Sequence, residues 1–219
     1  DVYKRQVLCM AIVAAVVADF ISKIFFGQDT VFNYQSETIP LRWYWLLIIF
    51  GVLAGLFGAF YNVFMIACRD FFAKLKKIPQ WIKFAFVFAV SGVVGLALPQ
   101  VLCGGHSMAQ LLIEERPETL VVLGLFAAKF IFGAFSFCSS APGGTLYPMC
   151  ILGAYGGAAF AQGAIALCGL DTALWEDFAV LGMAGLFASI VRAPVTGIIL
   201  VFEITGNINT VSYTHLRAH

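Results

Sequence analysis

The chain has 219 residues, 61% of them hydrophobic and 11% charged, with a mean hydropathy of +0.92 and a formal net charge of +1. Soluble domains carry a charged share of about 25%, so this composition excludes a soluble domain and defines an integral membrane protein. The small net charge, with no Lys/Arg cluster interleaved with aromatics, excludes nucleic acid as a partner.

Both ends stand apart from this pattern. Asp1–Gln6 and Val211–His219 are short polar stretches that do not continue the neighbouring apolar runs, and they read as non-native ends flanking a membrane unit over 7–210. No small-residue cleavage site follows Val7, so no secretory signal peptide is expected and the chain is read as starting inside a longer protein. Val7–Phe26 has about the 20 residues that a span needs, and Asp19 and Lys23 are spaced to pair across one turn. A polar loop over Gly27–Pro40 follows. Leu41 to Ala73 then predicts one long helix, tilted or projecting, whose Gly51, Gly55 and Gly58 permit close packing. Arg69, Lys74, Lys76, Lys77 and Lys83 gather around Pro79, which places that loop on the cytoplasmic side. Trp81–Leu98 returns across the membrane. Val101–Ile113, interrupted at Gly104-Gly105, is too short to span and predicts a re-entrant or interfacial segment.

Glu118–Phe137 is the next span, with Lys129 near its middle, and it runs into Ser139-Ser140-Ala141-Pro142-Gly143-Gly144-Thr145-Leu146-Tyr147-Pro148. Irregular backbone at membrane depth survives only where it is buried in protein or lines a wet cavity. Proline fits a first helical turn, so a helix is expected to start near Leu146 to Pro148. The unpaired N–H groups and the dipole of that start favour an anion, and Gly143 and Gly144 put no side chain in its way. The candidate anion-binding residues are therefore Gly143, Gly144, Thr145, Leu146, Tyr147 and Pro148. Leu146–Cys168 continues as an apolar helix with a small-residue face, and Gly169–Asp177 reads as an acidic turn. Phe178–Val191 and Val195–Thr205 are two short helices separated at Arg192-Ala193-Pro194, neither of which spans comfortably. Consecutive proline-broken apolar segments point to the half-helix architecture of channels and transporters.

Other chemistry is sparse. Cys9, Cys68, Cys103, Cys138, Cys150 and Cys168 occur singly and read as small core hydrophobes rather than a zinc site or disulfide framework. His106 alone gives no metal site. Glu114, Glu115, Asp171, Glu176 and Asp177 fall at expected interfaces, where solvated loops are the ordinary outcome, and no nucleophile–base pair suggests an enzyme. Three charges remain, Lys129, Arg192 and Glu203. Glu203 is expected to pair with Lys129 or Arg192, while Lys129 either contributes to an anion field or snorkels to the cytoplasmic interface.

The stretch Ser139–Pro148 followed by Leu152-Gly153-Ala154 resembles the Gly-x-Phe-x-Pro region of the CLC chloride channels and chloride/proton antiporters. Gly182–Thr205, reading GMAGLFASIVRAPVTGIILVFEIT, resembles the same family's pair of short helices near the end of its membrane domain. The resemblance covers about residues 7 to 210. It implies an all-α polytopic membrane protein with tilted, broken and re-entrant helices, corresponding to the second of two inverted repeats. It implies further that backbone N–H groups at Thr145 and Leu146 bind the central anion, with Gly144 and Pro148 shaping the turn and Thr145 able to add a hydroxyl. The chain departs from the family's pattern at Leu146, where phenylalanine is usual. That keeps an apolar wall and removes an aromatic edge, which bears on ion preference. By the same resemblance, the gating glutamate and capping serine belong to the first half, the proton-transfer glutamate lies just before this chain and the pore tyrosine lies beyond Val211.

The expected function is transport of chloride or a similar inorganic anion, as a voltage-gated channel or an anion/proton antiporter, in a bacterial cell membrane. Chloride and protons, membrane lipid and a second copy in a homodimer are the expected partners, with no cofactor. Two alternatives stand beside it, an inverted-repeat transporter for an organic anion and a non-transporting membrane scaffold.

Overall fold

The computed structural model describes residues 2–26, 39–75, 78–139 and 143–205. Residues 27–38 of the expected polar loop, Lys76 and Lys77 of the basic cluster, Ser140–Pro142 of the glycine-rich break and the tail beyond Thr205 lie outside the described residues. The chain divides into two units, 1–31 and 32–219.

The first unit contains α1, Val2–Phe26, an unbroken helix of 25 residues whose described side chains are exposed. It begins five residues before the expected start at Val7. The side chain of Lys23, the expected partner of Asp19, lies outside the described residues.

The second unit contains seven helices among its described residues: α2 (Tyr44–Lys74), α3 (Gln80–Ala97), α4 (His106–Glu115), α5 (Thr119–Cys138), α6 (Leu146–Cys168), α7 (Trp175–Val191) and α8 (Pro194–Thr205). Short 3₁₀ turns over Leu41–Trp43, Pro99–Val101 and Thr172–Leu174 lead into or follow them. No strand occurs among the described residues. The long helix expected from Leu41 is present, and 31 residues of α2 give roughly 46 Å, well beyond a perpendicular span. Each interruption falls where the sequence breaks the pattern: Pro79 precedes α3, Pro99 ends the return span, and Gly105, with φ of 100°, precedes α4.

Helices α6 and α7 form the centre. They pack on one another, α2 and α8 flank α7, and α5 flanks α6. Glycines decide the crossing. A Cβ at Gly153 would fall on the Gly182 carbonyl, one at Gly157 on the Phe178 carbonyl, and one at Gly182 on the Gly153 carbonyl. With no hydrophobic drive between helices in lipid, such backbone-to-backbone approach is what small residues contribute. The ring of Phe130 on α5 stacks among Phe57, Phe60 and Phe64 of α2, with centroids 4.8–5.8 Å apart, which joins the outer helices.

Several expectations are corrected here. The acidic turn is shorter than Gly169–Asp177, because the 3₁₀ turn at Thr172–Leu174 runs directly into α7 at Trp175. The combined stretch Thr172–Val191 has 20 residues and is long and apolar enough to cross a membrane, unlike the short helix expected from Phe178. Asp177 is consequently buried, at 1% exposure, in the first turn of a helix rather than in a solvated loop. Of the cysteines, Cys68, Cys138 and Cys150 are buried as expected, whereas Cys9, Cys103 and Cys168 are exposed. Cys103 sits in a positive-φ turn and Cys168 ends α6, and neither place has a core to enter.

Candidate anion site

The start of α6 is open and uncapped. Thr145 is its N-cap residue, and its side chain makes no capping hydrogen bond. The first backbone bond of the helix runs from the Met149 N–H to the Thr145 carbonyl at 3.2 Å, so the N–H groups of Leu146 and Tyr147 precede it and Pro148 has none to offer. Gly143 and Gly144 are exposed, and a Cβ at Gly144 would meet nothing within 4 Å. Leu146 is 42% exposed, and Tyr147 and Pro148 are half-buried. The six candidate residues thus lie together in one turn, which presents polar backbone with little side-chain cover.

Preceding side chains anchor that turn. Ser139 is buried, its Oγ donates to the Ser136 carbonyl at 2.7 Å, and its own carbonyl accepts from Gln80 Nε2 at 2.9 Å. On the other side stands the segment from Val101 to His106. Tyr147 Oη lies 3.3 Å from His106 Nδ1 in a hydrogen bond, and a Cβ at Gly104 would press on the Tyr147 ring at 2.9 Å. Eight residues further along α6, the buried Tyr155 donates its hydroxyl to the Met108 carbonyl at 2.8 Å. The short α4 is therefore fastened to the first turns of α6.

Lys129 completes the arrangement. It is 4% exposed, and its Nζ donates to the carbonyls of Val101 at 2.7 Å and Cys103 at 2.8 Å. The ammonium neither snorkels to an interface nor pairs with Glu203. Glu203 and Arg192 are both exposed, and among the described residues neither forms an ion pair. The expected Glu203 pairs are absent because α8 turns Glu203 outward while Lys129 points to the loop before α4. Among the described residues the ion pairs are Arg69–Asp70 and Arg116–Glu176, the latter with the Arg116 guanidinium also 5.7 Å from the Trp175 ring centroid.

Sequence reading named the turn and Lys129 but missed Val101, Cys103, Gly104 and His106 as their neighbours. Gly104-Gly105 was legible as a break, yet no spacing connects a loop at 101–106 with a lysine 23 residues or more downstream or a tyrosine at 147.

The described residues define an all-helical, polytopic membrane protein whose interrupted helices include an uncapped helix start at Leu146. A family model described as voltage gated chloride channel matches residues 2–217, and the chain belongs to that family. It is 34% identical over 202 residues to an H(+)/Cl(-) exchange transporter ClcA of Vibrio parahaemolyticus serotype O3:K6, covering 90% of this chain and 43% of that protein. Over 196 residues it is 31% identical to the ClcA of Klebsiella pneumoniae strain 342, covering 88% of this chain and 42% of the relative. An X-ray crystal structure of a slow cyanobacterial Cl-/H+ antiporter superposes with a TM-score of 0.81 at 25% identity, covering 89% of this chain and 46% of that one. The chain thus spans less than half the length of these relatives. It is an integral membrane protein of a family with bacterial members.

Proposed function

We propose that the protein to which this chain belongs moves chloride, or a similar inorganic anion, across the membrane as a channel or an anion/proton exchanger. In this reading Gly143 to Pro148 hold the anion through the N–H groups at the start of α6. The observation that carries it is the helix start at Leu146, which has no side-chain cap and opens through two exposed glycines. The relatives named as H(+)/Cl(-) exchange transporters support the same ion and the exchange mode. Binding by backbone dipoles is strong enough to strip part of a hydration shell and weak enough to release the ion. Arg192 lies at the other helix break and Glu203 near the end of α8, both exposed, and in this reading they carry no part of the binding. A homodimer in lipid, without a cofactor, is the assembly this reading adopts.

The test is chloride efflux from liposomes containing the full-length protein. Chloride efflux coupled to proton movement establishes an exchanger, and efflux without it establishes a channel. Exchange of an organic anion without chloride efflux, or no flux at all, overturns the reading in favour of another transporter or a scaffold.

A further inference from the structure

Lys129 carries a buried charge that the described part of the chain does not neutralise. Its two carbonyl partners satisfy N–H bonds, but neutral carbonyls do not cancel a unit charge. No carboxylate pairs with it among the described residues. An uncompensated ammonium within a membrane span is costly to keep, and such groups stand where an ion or a partner meets them.

Geometry puts that charge beside the start of α6. Lys129 borders one small cavity together with Tyr61, Phe137, Pro148 and Met149. A Cβ on Gly105 would stand 3.4 Å from Lys129 Nζ and 3.1 Å from Ile151 Cγ2, so the ammonium and the second turn of α6 both border that glycine. Cys103, whose carbonyl accepts from the lysine, has φ of 55° and Gly105 has φ of 100°, so the loop passes twice through left-handed backbone beside Lys129. The lysine is held in place by backbone on one side and walled by apolar side chains on the other.

We infer that Lys129 is the fixed counter-charge of the bound anion, a cation held beside the α6 helix start whose field raises anion affinity there. This rests on the proposed anion site at Gly143 to Pro148. The loop bonds fix where the charge stands, and the charge sets how tightly any small anion is held, without selecting among them. A unit charge roughly 10 Å from an anion, at an effective dielectric of about 20, changes affinity by on the order of tenfold.

The experiment measures binding of chloride, bromide and nitrate to the purified full-length protein by isothermal titration calorimetry. Lys129→Gln is expected to raise all three dissociation constants by the same factor of about tenfold, with their ratios unchanged, while Lys129→Arg stays within about threefold of wild type. Unchanged affinity in Lys129→Gln overturns the inference. So does a loss whose size differs among the three anions, because a slackened loop reshapes the site whereas a lost charge weakens it uniformly. If Lys129→Gln does not fold, Lys129→Arg decides: folded protein without anion binding shows that position rather than charge is what matters, and overturns the inference too. Wild-type protein that binds none of the three removes the proposed anion site itself, a failure visible before any variant is made.

Discussion

Prolines restart two helices in this chain, Pro148 in the first turn of α6 and Pro194 at the first residue of α8, and their surroundings are opposite. The connection before α6 is long, its glycines are exposed, and a buried lysine stands beside the turn that follows. The connection before α8 is two residues long, and the helices that it joins pack on one another. Asn62 Nδ2 donates to the Ile190 carbonyl at 3.1 Å at the end of α7, and a Cβ on Gly197 would meet Phe187 at 3.1 Å and the Ala184 carbonyl at 3.3 Å. Its one charge, Arg192, is exposed with φ of 60°. A break in a membrane helix is therefore not in itself a site. At the first break a buried lysine stands near the helix start, and the proposed anion site with its counter-charge rests on that pairing, whereas the charge at the second break, Arg192, is exposed to solvent.

The largest way to disturb this contrast is to spoil the frame that both breaks share. Gly157→Val drives a side chain into the Phe178 carbonyl at the α6–α7 crossing and is expected to destabilise by about 3 kcal/mol or more. Thermal unfolding in detergent measures it, and a melting temperature near wild type would show that the crossing is looser than described. Gly144→Ala probes the first break alone. Its added methyl meets no protein atom, so folding should be unchanged while the dissociation constant for chloride rises by about threefold to tenfold, or about 0.6–1.4 kcal/mol. Unchanged affinity in calorimetry would move the anion away from that glycine.

Smaller effects belong to the second break. Asn62→Ala removes the bond to the Ile190 carbonyl and should cost about 0.6–1 kcal/mol of stability with chloride affinity intact, read from paired melts and titrations. Arg192→Gly relieves a left-handed backbone position that glycine adopts freely and should be neutral or stabilising by up to about 1 kcal/mol. A loss of anion binding in either variant would erase the distinction between the two breaks.

Much of the fold was legible beforehand because its signals are local. Apolar runs of span length, the prolines at 79, 99, 148 and 194 and the Gly104-Gly105 pair each act on the backbone within a turn or two, and α2, α3, α5, α6 and α8 begin and end within about three residues of where those signals place them. The start of α7 was misplaced because Glu176 and Asp177 look like solvent-facing residues, while the first turn of a helix favours carboxylates there and the crossing with α6 buries Asp177.

By itself, then, the sequence determined a membrane protein of broken helices with a helix start at Leu146, because hydropathy, proline and glycine constrain the chain locally. The partner of Lys129 was decided only by tertiary structure. Glu203 was the plausible partner by charge, but α8 turns it outward, and the lysine instead reaches carbonyls at Val101 and Cys103 brought to it by packing of α4 against α6. Charge complementarity can be read along a chain, whereas which charges meet depends on how helices pack, and backbone contact at glycines sets only the central α6–α7 crossing of that packing.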